Sequence, residues 1–87
     1  MKTEKVILKN ETGLHARPAS ELAKLASKFK CDIKIKVGEK EINPKSILSI
    51  MSAGIKVNTE LEIICDGEDE ETAINEIVQA FNNKFSE

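Results

Sequence analysis

The chain has no Trp and no Tyr, only three Phe, and a single His among its 87 residues. Nucleic-acid binding needs a basic face and, for single strands, rings to stack on. Neither is present: 13 Lys and Arg stand against 15 Asp and Glu, a net charge of -2. No apolar run approaches the roughly 18 residues of a membrane span. Met1-Lys2-Thr3-Glu4-Lys5 has no apolar signal-peptide core behind it, so a cytoplasmic location is expected. The two cysteines, Cys31 and Cys65, are far apart and lack metal-ligand spacing, so they read as reduced core residues. With no second His and no Cys cluster, neither a metal nor a cofactor is expected.

What remains is an ordinary soluble composition, 40% hydrophobic and 32% charged. The length fits one domain, residues 1–87. A chain of this size buries about two-thirds of its unfolded surface, which offers little room for a substrate cleft.

Strand signals come first, with aliphatic residues between lysines over about Thr3 to Lys9. Asn10-Glu11-Thr12-Gly13 is loop chemistry. Leu22, Leu25, Ala26 and Phe29 then recur on one helical face. Pro18 fits only in that helix's first turn, which puts the start at His15 or Ala16 and the end near Ser27 or Lys28. Ile33, Ile35 and Val37 alternate with lysines as in a half-buried strand. Gly38-Glu39 suits a type II′ hairpin loop returning through Lys40 to Ile42.

Ser46 is a good N-cap and Gly54 a good C′ residue for a helix of about two turns. That helix carries Ile47, Leu48, Ile50 and Met51, more apolar residues than one buried face requires, so some should be exposed. Leu61 to Cys65 suits an inner strand, and Asp66-Gly67 turns the chain. Asp69 caps a last helix whose apolar face runs Ile74, Ile77, Val78, Phe81 and Phe85. The order β-α-β-β-α-β-α predicts an α+β fold, an open-faced β-sandwich with a four-stranded antiparallel sheet and helices on one face.

The one imidazole sits in Gly13-Leu14-His15-Ala16-Arg17-Pro18-Ala19, at the predicted helix start. A helix N-terminus exposes unpaired N–H groups and about half a positive charge. Arg17 adds a full charge. Both favour a neutral, nucleophilic ring, and both suit a phosphoryl group. Such a site fits phosphohistidine formation by in-line attack, with the amides and Arg17 taking up the transferred charge. A Lys in place of Arg17 would lose the bidentate geometry. The plainer alternative is that His15 only caps the helix.

Gly13-Leu14-His15-Ala16-Arg17-Pro18-Ala19-Ser20 resembles the active-site motif of the HPr family, the histidine-containing phosphocarriers of the bacterial phosphoenolpyruvate-dependent sugar phosphotransferase system. Lys45-Ser46-Ile47-Leu48-Ser49-Ile50-Met51-Ser52-Ala53-Gly54 resembles that family's regulatory serine region. The resemblance covers essentially the whole chain. It implies that His15 accepts a phosphoryl group on Nδ1 from phosphorylated enzyme I and passes it to a histidine of the sugar-specific IIA domains. Arg17 would stabilise the group in transit, and Pro18 would shape the first turn.

Ser46 would be the target of HPr kinase/phosphorylase, and the modified form would bind the catabolite control repressor. Ile47, Leu48 and Met51 form the natural docking patch, extended by Ala16, Ser20 and Lys24. The family often has Gly at the place of Ser49, a larger aliphatic at Ala53 and Met at Leu48, and Pro44 is less usual. A monomeric carrier with no independent turnover is the leading reading. A purely regulatory module read through Ser46 is the second, and an unrelated α+β interaction or sensor domain the third.

Overall fold

A computed structural model describes residues 1–86 in the order β1 (Lys2–Ile7), α1 (Ala16–Ser27), β2 (Asp32–Val37), β3 (Lys40–Ile42), α2 (Ile47–Ser52), β4 (Glu60–Asp66) and α3 (Glu70–Asn82). A short turn, Lys84–Ser86, follows. The four strands form one antiparallel sheet in the order β1-β4-β2-β3. The apolar run of β4 thus occupies an inner position, as its composition predicts.

Register explains why only one face of the sheet is covered. Ile33 pairs with Cys65, Ile35 with Ile63, and Val6 with Leu61. These six side chains are buried, on the covered face where α3 packs, with α1 beside it. One residue along each strand the pleat turns to the other face. There Glu62 lies between Lys5 of β1 and Lys36 of β2, and Lys36 lies opposite Glu41 of β3. Opposite charges across neighbouring strands suit a water-facing surface. The α+β open-faced architecture is therefore the one expected.

α1 buries Pro18, Ala19, Leu22, Ala23 and Ala26, and α3 buries Ala73, Ile74, Ile77 and Phe81. Gly38 takes φ +62 at the first hairpin position while Glu39 keeps negative φ, in line with a type II′ turn. Cys31 and Cys65 are buried free thiols, as expected.

Three expectations need correction. β1 stops at Ile7 rather than Lys9, because Leu8 leaves the β4 ladder and pairs with the turn before it. Its N–H donates to Thr59 O at 3.0 Å, and its carbonyl accepts from Asn58 N at 2.8 Å. Asp69 stands at the N-cap of α3 but its side chain does not cap it. Its carboxylate instead accepts the backbone N–H of Lys30 at 2.8 Å and of Cys31 at 2.9 Å. Phe85 is not on the α3 face. The helix ends at Asn82, and Lys84, Phe85 and Ser86 take φ of 55, 52 and 66. This left-handed run folds Phe85 back against Phe81, edge to face at 4.9 Å.

Candidate functional site

His15 is the N-cap of α1, with extended backbone (φ -80, ψ -168), and its carbonyl accepts the first helical hydrogen bond, from Ala19 N at 2.9 Å. The three residues between them lie in the first turn, where no i−4 carbonyl exists for their N–H groups. One of them is Pro18, which has no N–H to satisfy. The other two, Ala16 and Arg17, direct their amides out of the helix end. The His15 side chain does not itself cap this end, and no acidic residue stands in the first turn. His15, Ala16 and Arg17 are exposed, whereas Pro18 and Ala19 are buried and anchor the turn.

The approach to His15 is held from behind. Gly13 N donates to Asn10 O at 3.0 Å, closing a turn. Leu14 N donates to Ile55 O at 3.1 Å, and the Leu14 side chain is buried. Gly13 adopts φ +74, and a Cβ there would lie 2.5 Å from Ile55 O. Only glycine allows the loop to lie so close to the segment that leaves α2.

α2 lies beside α1 and presents the apolar surplus noted in the sequence. Ile50 is fully buried, while Ile47, Leu48 and Met51 are 45%, 77% and 44% exposed. Ser46 is the N-cap of α2, and its hydroxyl accepts from Ser49 N at 3.2 Å. Ser49 in turn accepts from Asn43 N at 3.0 Å. Ser20 is half-buried and Lys24 exposed on α1. The structure thus sets the His15 turn on one helix and the Ser46 and Ile47-Leu48-Met51 group on the neighbouring one.

Two supporting residues escaped sequence reasoning. Lys45 Nζ donates to Phe29 O and to Cys31 O, both at 2.9 Å, and so fastens the chain just past α1 to the start of α2. Asn10, fully buried, donates from Nδ2 to Lys84 O at 2.9 Å. None of these three bonds has a local sequence signal, because each partner is a backbone carbonyl distant in the chain.

A surface hollow of about 440 Å³ lies between β2, β3 and α2, lined by Asp32, Glu41, Lys45 and Ser49 among others. His15 and Arg17 do not border it. That hollow is therefore separate from the exposed His15 turn. No helix among the described residues is long and apolar enough to cross a membrane.

Such a fold and helix end define a small α+β protein that presents side chains on its surface rather than enclosing a substrate. The family model described as "PTS HPr component phosphorylation site" matches residues 2–83. The chain belongs to the HPr family, the phosphocarriers of the sugar phosphotransferase system. It is 51% identical over 73 residues to phosphocarrier protein HPr of Mycoplasma capricolum, covering 84% of this chain and 82% of the relative. A crystal structure of HPr from Thermoanaerobacter tengcongensis superposes with a TM-score of 0.95 at 41% identity, covering 100% of this chain and 98% of that one. A dimeric crystal structure of HPr from the same organism gives 0.80 at 41% identity, covering 100% of both chains.

Proposed function

We propose that His15 is the phosphoryl acceptor and that this chain carries the group from phosphorylated enzyme I to sugar-specific IIA domains. The observation that carries the reading is the exposed His15 at the N-terminus of α1, followed at once by the exposed Ala16 and Arg17 of its first turn. In the forward step a His15 ring nitrogen, Nδ1 by family resemblance, attacks phosphorus in line. The bond from phosphorus to the enzyme I histidine breaks as the new one forms, and the electron pair stays with the departing imidazole. The Ala16 and Arg17 amides and the Arg17 guanidinium hold the phosphoryl oxygens as charge redistributes. Pro18 keeps the turn in its helical shape without adding a competing donor. The second transfer repeats this displacement with a IIA histidine as nucleophile.

Ile47, Leu48 and Met51, with Ala16, Ser20 and Lys24, form the docking surface for both partners. Exposed apolar residues on α2, the helix beside the one that begins after His15, support this role. Ser46 is the regulatory site, modified by HPr kinase/phosphorylase and read by the catabolite control repressor. A phosphate there adds about two negative charges at the edge of the docking patch, which weakens binding of acidic partners and leaves the helix end tolerant of the charge. The chain acts as a monomeric single domain in the cytoplasm.

The test is phosphoryl transfer. Labelled phosphoenolpyruvate and enzyme I should place acid-labile label on the wild type and none on His15→Ala. Absence of label on a folded wild type, with an enzyme I active on another HPr, overturns the carrier reading. Label only at Ser46, from a nucleotide donor and a kinase, would favour the purely regulatory alternative.

A further inference from the structure

We propose that Asn10 is a positioning residue for phosphoryl transfer, joining the C-terminal turn to the loop that delivers His15; this rests on the carrier reading above. Among the described residues Asn10 is the one buried polar side chain, at 1% exposure. An amide in the interior costs stability unless its groups are bonded, so its placement needs a reason. Its two ends serve two different segments. Its side-chain Nδ2 donates to Lys84 O, and its backbone carbonyl accepts from Gly13 N, two residues before His15.

The partner segment is held in an unfavoured form. Lys84, Phe85 and Ser86 are consecutive non-glycine residues in the left-handed region. Such residues cost about 1 kcal/mol or more each and persist only where surrounding contacts over-determine them. Two contacts do so here. Phe85 is buried against Phe81, and Lys84 O is bonded by Asn10. The turn also packs against α1, the helix that begins just after His15.

The loop from residue 10 to residue 14 is therefore pinned at both ends. Leu14 is held by Ile55 O on the α2 side, and Asn10 by Lys84 O on the C-terminal side. In-line displacement is sensitive to the placement of the nucleophile, and small displacements cost large factors in rate. Freeing the Asn10 end lets the loop choose among several positions of the imidazole. The effect falls chiefly on the transfer step, because the apolar part of the docking surface, Ile47, Leu48 and Met51, belongs to α2, and Ser20 and Lys24 lie within α1 beyond the loop.

The experiment measures kcat and KM of enzyme I with full-length Asn10→Ala, Asn10→Leu, Phe85→Leu and, as a control, Val6→Ala. Val6 is a core residue of the sheet, and its truncation lowers stability without touching the loop. All are assayed where circular dichroism shows a folded chain, together with the NMR signals of the His15 ring nitrogens. Asn10→Ala and Asn10→Leu should lower kcat about tenfold with KM within twofold, and should shift the His15 ring signals. Phe85→Leu, which stays apolar but loses the ring contact with Phe81, should lower kcat about threefold where the chain is folded. Val6→Ala should change only the melting temperature.

Transfer at wild-type rates in the folded Asn10 variants, or unmoved His15 signals, overturns the role of Asn10. If neither Asn10 variant folds, an unchanged kcat in Phe85→Leu overturns it. Failure of the wild type itself to accept the group overturns the carrier reading instead, and the ring signals still decide the question for Asn10.

Discussion

Leu14 donates its amide hydrogen to the carbonyl of Ile55, and this 3.1 Å bond ties the residue before His15 to the chain leaving α2. The loop that leads into α1 and the chain that leaves α2 therefore share a backbone link. Gly13 makes the link possible. At φ +74, with Ile55 O 2.5 Å from where a Cβ would stand, any side chain must push the two segments apart.

Gly13→Ala should destabilise the protein by about 2 to 4 kcal/mol, the left-handed penalty plus a displaced backbone. Gly38→Ala has a similar φ of +62 but open space around it. It should cost only about 1 kcal/mol. Urea unfolding of the two variants separates close approach from conformational strain, and equal losses would show that the Ile55 contact contributes nothing.

Asp69 predicts an acid limb in the stability profile. The amides of Lys30, and then the thiol and amide of Cys31, hold its carboxyl below the usual range. Glu70 is lowered as well, chiefly by the Gly67 amide. A depressed carboxyl stabilises the fold above its unfolded value and stops doing so as pH falls through its folded one. Stability should therefore drop below about pH 4. In Asp69→Asn the drop should be shallower, while the variant is weaker than wild type at pH 7. Chemical unfolding between pH 3 and pH 7 checks this, and identical slopes in both proteins would rule out Asp69 as a source.

The same carboxylate shows where sequence reasoning stops. Periodicity located α1, β2 and α3, because apolar spacing at 3.6 or 2 residues reports the buried face directly, while turn and cap chemistry placed β3 and α2 and a continuous apolar run placed β4. Sequence reasoning also identified Ser46 as a capping residue and the exposed surplus on α2, since both are local facts. Asp69 was legible as an N-cap by type and position. Its carboxylate nevertheless serves Lys30 and Cys31, because packing of α3 against the start of β2 offers two amides that local spacing does not reveal. Phe85 failed for a related reason. Its spacing continued the α3 stripe, but a left-handed turn returns it to the core by another route. Asn10 and Lys45 carry no local pattern, since their partners are carbonyls set by the tertiary fold.

The buried thiols predict chemical silence. Burial and then the neighbouring Cys31 push the Cys65 thiol up to about 12, and burial with the Asp69 hydrogen bond raises Cys31. Neither thiol should react with Ellman's reagent in the native protein at pH 8, and both should react in urea. The sign for stability follows from proton linkage. The unfolded chain releases the Cys65 proton above its ordinary 9.0, whereas the native state keeps it towards about 12. Stability should fall as pH rises through that window. Cys65→Ala should cost about 1 to 2 kcal/mol at pH 7 and flatten the alkaline slope. Fast native labelling would show that the thiols are open to solvent.

Ser46 has a structural role that must be separated from its proposed regulatory one. Its hydroxyl caps α2 through Ser49 N, so Ser46→Ala should lose about 1 kcal/mol. Acid-labile labelling of His15 should be unaffected, because α1 begins elsewhere. Ser46→Asp keeps a capping oxygen and adds a charge beside Ile47 and Leu48. It should retain most of the stability yet raise KM for enzyme I about tenfold, roughly 1.4 kcal/mol of lost docking. A Ser46→Asp variant that binds enzyme I as tightly as wild type would detach the serine from the docking patch. A Ser46→Ala variant that raises KM to the same degree would instead assign the effect to the cap, since the alanine adds no charge and shares only the loss of the hydroxyl.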